Sequence, residues 1–304
     1  MEDSLHWNTY RSFEEELIGL SKTIHIDDKQ LDVYSVKIAD LLVAVCVEIE
    51  SISKVIYFRE GGEKNDDSRL YFDTDCLDFL NKKWLLDKRL VKINTPSMYL
   101  KDQGHTILKP LHNANRRGRH SVAWKRAYQA VKHNRRESLE AGNVRNFIQA
   151  LGALFLLNIY FNDLSYTLDT IALESDFDST QGSDIFSIKV HPCHRISCTG
   201  KYDKSEDFDE CTYLIKPTER SQNNLRDLYN RMSSDLHKEV ASKVTNDLLQ
   251  NPNKLANLET AGLMDLVFRY SHELKPKVDS RYDMKLAQEL RNVRFEAVLN
   301  KSHF

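Results

Sequence analysis

The stretch NVRNFIQALGALFLLNIYF, residues 143–161, carries one charged side chain, Arg145, and its apolar residues are not confined to one stripe. A helix at a protein surface keeps one polar face, so a helix apolar nearly all round belongs at the centre of a bundle. Asn143 is placed to cap it. The most apolar part, 150–161, falls short of the roughly 20 residues that a bilayer-spanning helix needs. It therefore reads as a core helix, and no membrane partner is expected.

Working outward, Leu31, Tyr34, Ile38, Leu41, Leu42, Val45, Cys46, Ile49, Ile52 and Ile56 recur at helical spacing, with Asp27 or Asp28 as a cap and Gly61-Gly62 as the stop. Ser12-Phe-Glu-Glu15 fits a capping box and predicts a short helix to about Lys22. Residues 73–88 read as another helix through Leu77, Leu80 and Trp84. Residues 90–93, 98–100 and 106–108 read as short strands or extended loop, and 112–120 as a basic loop. Ser121 is placed to cap a helix running to about Arg136. Residues 184–190 and 211–215 alternate as strands do and predict a β-hairpin across 197–209. From Thr218 onward three helical pieces are expected: 220–250, 254–273 and 281–300. The domain reading is a helical domain over 1–175, a β-hairpin insertion over 176–218 and a helical C-terminal region over 219–304. The fold class is mainly α.

With ten Gly and six Pro in 304 residues, the chain favours helices over a turn-rich β fold. No cationic start followed by an apolar run opens the chain, and the five cysteines are odd in number and lack framework spacing. A reducing, cytoplasmic setting is the expectation.

Between Gln103 and Arg136 lie nine Lys or Arg, four His and no acid, in a protein whose net charge is -2. A block so positive on a mildly acidic chain points to an anion. On a helix from Val122, Trp124, Ala127, Tyr128 and Val131 form the buried stripe, and Lys125, Arg126, Gln129, Lys132, His133 and Arg136 fall on the other side. Arg126 and His133 differ in direction by about 20° and lie about 10 Å apart along the axis. Arginine forks hold phosphate, and histidine moves protons at neutral pH. Together they suit RNA cleavage without a metal: the 2′-OH attacks, His133 transfers a proton and Arg126 clamps the phosphate. Gln129, Lys132, Arg135, Arg136, Arg116, Arg117 and Arg119 would position the strand. No carboxylate in this segment offers to hold Mg²⁺, which argues against a two-metal nuclease centred on it. The same pattern also describes a solvated basic face, a histidine placed against a helix C-terminus, or passive phosphate binding.

The long helix ending near Tyr57, the Gln129-x-x-x-His133 helix end and the apolar helix after Asn143 resemble the HEPN superfamily over roughly residues 12–175. The texture Trp124-x-x-x-Tyr128-Gln-Ala-Val-Lys-His133-x-Arg135, followed by 149–155, is similar to HEPN-like proteins of bacterial conflict and defence loci. The resemblance implies a metal-independent endoribonuclease of toxin or antiviral type, with no cofactor. Its paired Arg–His sets would meet across a homodimer, and a defence or antitoxin protein would be a further partner. Active members carry Arg, usually a polar residue, then His. Here the position five before the histidine is Tyr128, the polar position is Gln129, and Arg126 keeps the longest spacing, with six intervening residues. Arg135 could substitute if the helix unwinds after His133. A HEPN-like module that binds nucleic acid or a partner without catalysis is the alternative.

His191, Cys193, His194, Cys198 and Cys211 gather around the expected hairpin. Their spacing matches no standard zinc motif, and Cys193, Cys198 and Cys211 would be the ligands if zinc were bound. Acidic segments 60–78 and 203–210 read as solvated loops or as a lid over the basic helix. Gly142 and Gly152 read as sites of close helix approach. No phosphate-binding glycine loop, zinc-protease motif or nucleophile elbow is present.

Overall fold

The computed structural model describes residues 5–64, 69–169, 177–193, 202–251 and 259–302, and it is mainly helical. Helix α1 spans Leu5–Ser21 and α2 spans Val36–Arg59. Ser12 lies inside α1 and does not start it. The rings of Trp7 and Tyr10 pack 6.4 and 5.6 Å from Phe155, so apolar burial extends the helix back past the capping box. Ser35, not Asp27 or Asp28, caps α2, its Oγ accepting from Ile38 N at 3.2 Å. Asp27 instead accepts from the amides of Lys29 and Gln30 in a turn, and Asp28 accepts from Lys101 N. The stop at Gly61 stands: φ there is +91°, Gly62 N donates to Tyr57 O, and Gly61 N donates to Phe58 O.

The helix expected over 73–88 is broken. A π-turn at Phe72–Leu77 leads into α3, Asp78–Trp84, and left-handed Leu85 ends it. Then come β1, Val91–Ile93; the short α4, Gln103–Thr106; and β2, Ile107–Leu108. Helix α5 is Ala123–His133, shorter than expected because Asn134 leaves helical geometry at φ -147°; α6, Arg135–Ser138, starts anew. Ser121 does not cap α5: Val122 holds the cap position and no side chain caps it.

Helix α7, Val144–Asn162, is capped by Asn143 and lies at the centre, with Phe147, Leu151, Leu154, Phe155 and Tyr160 fully buried. It packs against α1, α2 and α5. By length and composition α7 could cross a membrane, but most of it is buried inside the fold.

The expected hairpin does not form. Strand β4, Phe186–Ile188, pairs antiparallel with β1 in a three-stranded sheet ordered β2-β1-β4. Two residues later β5, Val190–His191, joins a second sheet, where it runs parallel to β6, Tyr213–Pro217. Parallel neighbours need a crossover rather than a turn, so the segment between them is a connection, not a hairpin loop. That sheet is ordered β3-β7-β6-β5, where β3 is Tyr166–Leu168 and β7 is Phe295–Leu299. Strand β7 lies where a third C-terminal helix was expected. Phe295, Ala297 and Leu299 are buried and alternate with half-buried residues, a period of two that selects a strand.

Arg89, fully buried, locks this sheet to the bundle. Its guanidinium donates to the carbonyls of Trp84, Asp209, Cys211 and Asn300 and to the hydroxyls of Tyr160 and Ser302. Helices α8, Glu219–Gln250, and α9, Thr260–Arg291, pack side by side, with Val240, Val244 and Leu274 between them. The pairs Lys243–Glu273 and Arg281–Glu239 set them antiparallel. The two pieces expected at 254–273 and from 281 are one helix running through Pro276.

Candidate nucleic-acid interface

Helix α5 lies against α2 and α7 on the stripe formed by Trp124, Ala127, Tyr128 and Val131, all buried. Lys125 is the departure from the helical-wheel reading. It is 3% exposed, and its ammonium donates to Asp73 Oδ2 at 2.9 Å and to the carbonyls of Ala114 and Arg116. Those three acceptors match the three donors of a lysine head group. Asp73 comes from the π-turn and also accepts from Arg117 through Nε and Nη2, the latter at 2.9 Å. Burial pushes the Asp73 carboxyl up, but the hydrogen bonds from Arg117, Lys125 and Thr74 N outweigh it and hold it at about 2. Burial lowers Lys125 from the usual lysine range, and Asp73 opposes that shift.

Above this ion cluster opens a cleft of about 670 Å³. Five cations line it, Lys54, Arg117, Lys125, Arg126 and Lys132, against two carboxylates, Glu50 and Asp73. Gln129, Gly118 and Ser121 complete the polar wall, and Leu70, Tyr71 and Phe72 form the apolar one. Tyr71 is 43% exposed, and the Arg117 guanidinium lies 4.1 Å from its ring centroid. An anion with a flat apolar part fits such a wall pair.

The fold thus brings Arg126, Gln129, Lys132 and Arg117 together. His133 does not line the cleft. It sits exposed at the last residue of α5, and its imidazole has no hydrogen-bond or ion-pair partner among the described residues. Arg135 and Arg136 follow the break at Asn134 and leave the α5 face; Arg135 pairs with Asp40 at 2.6 Å. Arg116 and Arg119 are exposed and outside the lining, although the Arg119 carbonyl accepts from Arg126 Nη1 at 2.8 Å. Tyr128, at the position where the resemblance has arginine, is a core residue. Its hydroxyl donates to Glu50 Oε1 and accepts from Lys132 Nζ, both at 3.0 Å. Burial and the Glu50 carboxylate raise this phenol, so it stays protonated and bridges α5 to α2.

Sequence reasoning missed Asp73, Lys125, Tyr71 and Ser121. A signal existed for Lys125 alone: it lies one turn before Tyr128, flanking the apolar stripe. The basic segment itself carries no carboxylate, but the first acidic segment folds against it and supplies Asp73 to the basic helix. The second acidic segment goes elsewhere, with Asp209 on Lys88 and Glu210 on Lys109 and Lys189.

Around the former hairpin, His191 is buried. Its Nδ1 lies 2.8 Å from Tyr202 Oη, and Ser205 N donates to its Nε2 at 3.2 Å. Both ring nitrogens are thus used within the protein. Burial pushes the Cys211 thiol up to about 12, and its Sγ donates to Asp207 O. His194 and Cys198 lie outside the described residues. Among the described residues no three His, Cys, Asp or Glu side chains form a metal-binding group. Comparison with protein-family models, with curated proteins and with solved structures finds no match to this chain.

Proposed function

We propose that this chain binds single-stranded RNA through the α5 cleft, as a HEPN-like helical module acting in a defence or toxin setting. The observation that carries the reading is the cleft itself, with five cations against two carboxylates and an exposed tyrosine on the facing wall. Cations track a phosphate backbone, and an aromatic face stacks a base. The mutual packing of α2, α5 and α7 supports the HEPN-like assignment. The test is anisotropy of a labelled single-stranded RNA across a salt series. Affinity should fall steeply with salt. Arg126→Ala combined with Lys132→Ala should weaken binding and flatten the slope by about 1.4, at about 0.7 for each phosphate left without its cation. Binding that ignores both salt and these substitutions would refute the reading.

A second reading is metal-independent cleavage by a homodimer. It rests on His133 and Arg126 sharing one exposed helix side, with His133 open to a partner surface at the helix end. Attack of the 2′-OH on phosphorus breaks the bond to the 5′ oxygen, leaving a 2′,3′-cyclic phosphate and a 5′-hydroxyl. Incubation with RNA and EDTA tests it. Products from the native protein and none from His133→Ala support it, and equal products from both sink the role of His133.

A further inference from the structure

We propose that Glu50 and Lys132 read the base-pairing edge of an unpaired guanine in the bound strand. This deepens the RNA-binding reading and rests on it. A wall that only tracked phosphates would gain from cations and lose from acids, yet α2 sets Glu50 among the cations of the cleft. Its place is fixed from behind. The hydroxyl of the buried Tyr128 side chain donates to Glu50 Oε1 and accepts from Lys132 Nζ, both at 3.0 Å. One oxygen thus holds a carboxylate and an ammonium side by side, less than about 6 Å apart, a span that one base edge can bridge. Much of their bonding capacity is unused. Glu50 Oε2 has no hydrogen-bond or ion-pair partner among the described residues, and neither have the two remaining donors of Lys132. Both side chains line the cleft, so the unused atoms can meet a ligand. The hydrogen bond to Tyr128 and the Glu50 charge raise the Lys132 ammonium above the usual lysine range, so it remains a donor at neutral pH.

A pair of acceptors beside a donor is the complement of guanine. On its pairing edge guanine alone places two N–H donors, at N1 and N2, next to one acceptor, O6. A carboxylate meets the two donors with its two oxygens, since Oε1 keeps a lone pair beyond the one Tyr128 uses. The ammonium meets O6. Uracil offers one donor between two carbonyls, so one carbonyl would face the carboxylate. Adenine and cytosine offer one amino donor beside a ring nitrogen that accepts, so neither fills both carboxylate oxygens. The rest of the lining suits a base as well. Leu70 and Tyr71 give it apolar surface, and Tyr71 is 43% exposed. Lys54, Arg117 and Arg126 line the same cleft and answer the phosphates on either side of the base. In a duplex this edge is already paired, so the contact also selects single-stranded over double-stranded RNA.

The test uses the full chain and short oligouridines labelled at the 3′ end, whose central residue is guanosine, inosine, adenosine, cytidine or uridine. A single guanosine per strand keeps quadruplexes from forming. The guanosine strand should bind about tenfold tighter than the all-uridine strand, as a good bidentate base contact gives. Inosine keeps N1–H and O6 but lacks the N2 amine, and its advantage should fall to about threefold. Glu50→Gln keeps an oxygen for Tyr128 but turns N–H donors toward those of guanine. The guanosine preference should then drop to about twofold or less, while the all-uridine strand binds more tightly because a negative charge has left the cleft. The inosine comparison uses the native protein and stands whatever the fold of the variant. Equal affinity for all five strands overturns the guanine reading and leaves RNA binding standing; failure of every strand to bind overturns both. Preference for another base overturns the choice of guanine, and an unchanged guanosine ratio in Glu50→Gln overturns the role of Glu50. Inosine that binds as tightly as guanosine overturns the two-donor contact. Guanosine 5′-monophosphate that binds as tightly as the guanosine strand would assign the site to free nucleotides and overturn the strand proposal.

Discussion

Asp73→Asn exchanges a carboxylate for an amide of the same shape beneath the cleft. In the native protein Asp73 holds Lys125 and Arg117 at 2.9 Å each, and its carboxyl falls from 3.8 to about 2. That lowering is worth about 2 kcal/mol of folding free energy. Because the folded value lies below the unfolded one, the stabilisation is complete above about pH 4 and is lost as pH falls through about 2. At neutral pH the variant should therefore be less stable by about 2 kcal/mol, rising toward 3 if Lys125 is left without compensation. Urea unfolding followed by the fluorescence of Trp84 and Trp124, both fully buried, reads this directly. The gap between variant and native protein should shrink from pH 4 downward. Arg117, already in the cleft, is released from Asp73 and freed to take a phosphate, so the folded variant should bind RNA more tightly and with a salt slope steeper by about 0.7. A destabilisation equally large at all pH values would refute the ion-pair account. Weaker RNA binding by the folded variant would refute the view of Asp73 as a counter-charge.

Arg89→Met should cost at least about 3 kcal/mol, because it strips four buried carbonyls of a charged donor; Arg89→Lys should recover only part, with three donors for six acceptors, and thermal unfolding distinguishes the two. Gly142→Ala should destabilise by about 1–3 kcal/mol, since its Cβ would stand 2.5 Å from Ala39 Cβ and 2.8 Å from Ala39 Cα, the latter backbone. Gly152→Ala meets nothing closer than 3.6 Å and should cost well under that in the same denaturation assay. His133→Ala should leave the unfolding free energy unchanged to within about 0.5 kcal/mol in the same denaturation assay, because the side chain is exposed and has no partner among the described residues.

What the sequence made legible is what short-range pattern controls. The all-round apolar run at 143–161 is the central helix, and the stripe Trp124, Ala127, Tyr128, Val131 is the buried side of α5. Both follow from a fixed rotation per residue. Strand character was legible over 184–190 and 211–215, but the first stretch divides into β4 and β5 in two different sheets, and the partners were not legible. Pairing of β4 with β1 joins residues about a hundred positions apart, and β5 with β6 run parallel, so no local turn signal could announce either. Strand β7 carried its own period of two, and the helical texture of the residues before it masked that signal.

The site was half legible for a related reason. Composition reveals a block of nine cations without acids, but it cannot say which of them the fold neutralises. Asp73 lies 52 positions from Lys125 and takes both it and Arg117; Glu210 takes Lys109, and Asp40 takes Arg135. Arg116, Arg119, Arg126, Lys132 and Arg136 remain without a carboxylate partner among the described residues. Pairing therefore sorts the block into two kinds of charge. Lys125, buried and paired with Asp73, holds the π-turn against α5 and fixes the shape of the cleft, whereas Lys109 and Arg135 are half exposed and pair away from it. Exposed, unpaired cations are available to a ligand. A charge that already has a fixed partner must break that pairing before it binds another anion, so the second group sets affinity and the first sets geometry. Arg117 is the exception that joins them: it pairs with Asp73, is half exposed, stacks on Tyr71 and lines the cleft. Changes at Arg117 should thus alter stability and RNA binding together, whereas changes at Arg126 or Lys132 should alter binding alone.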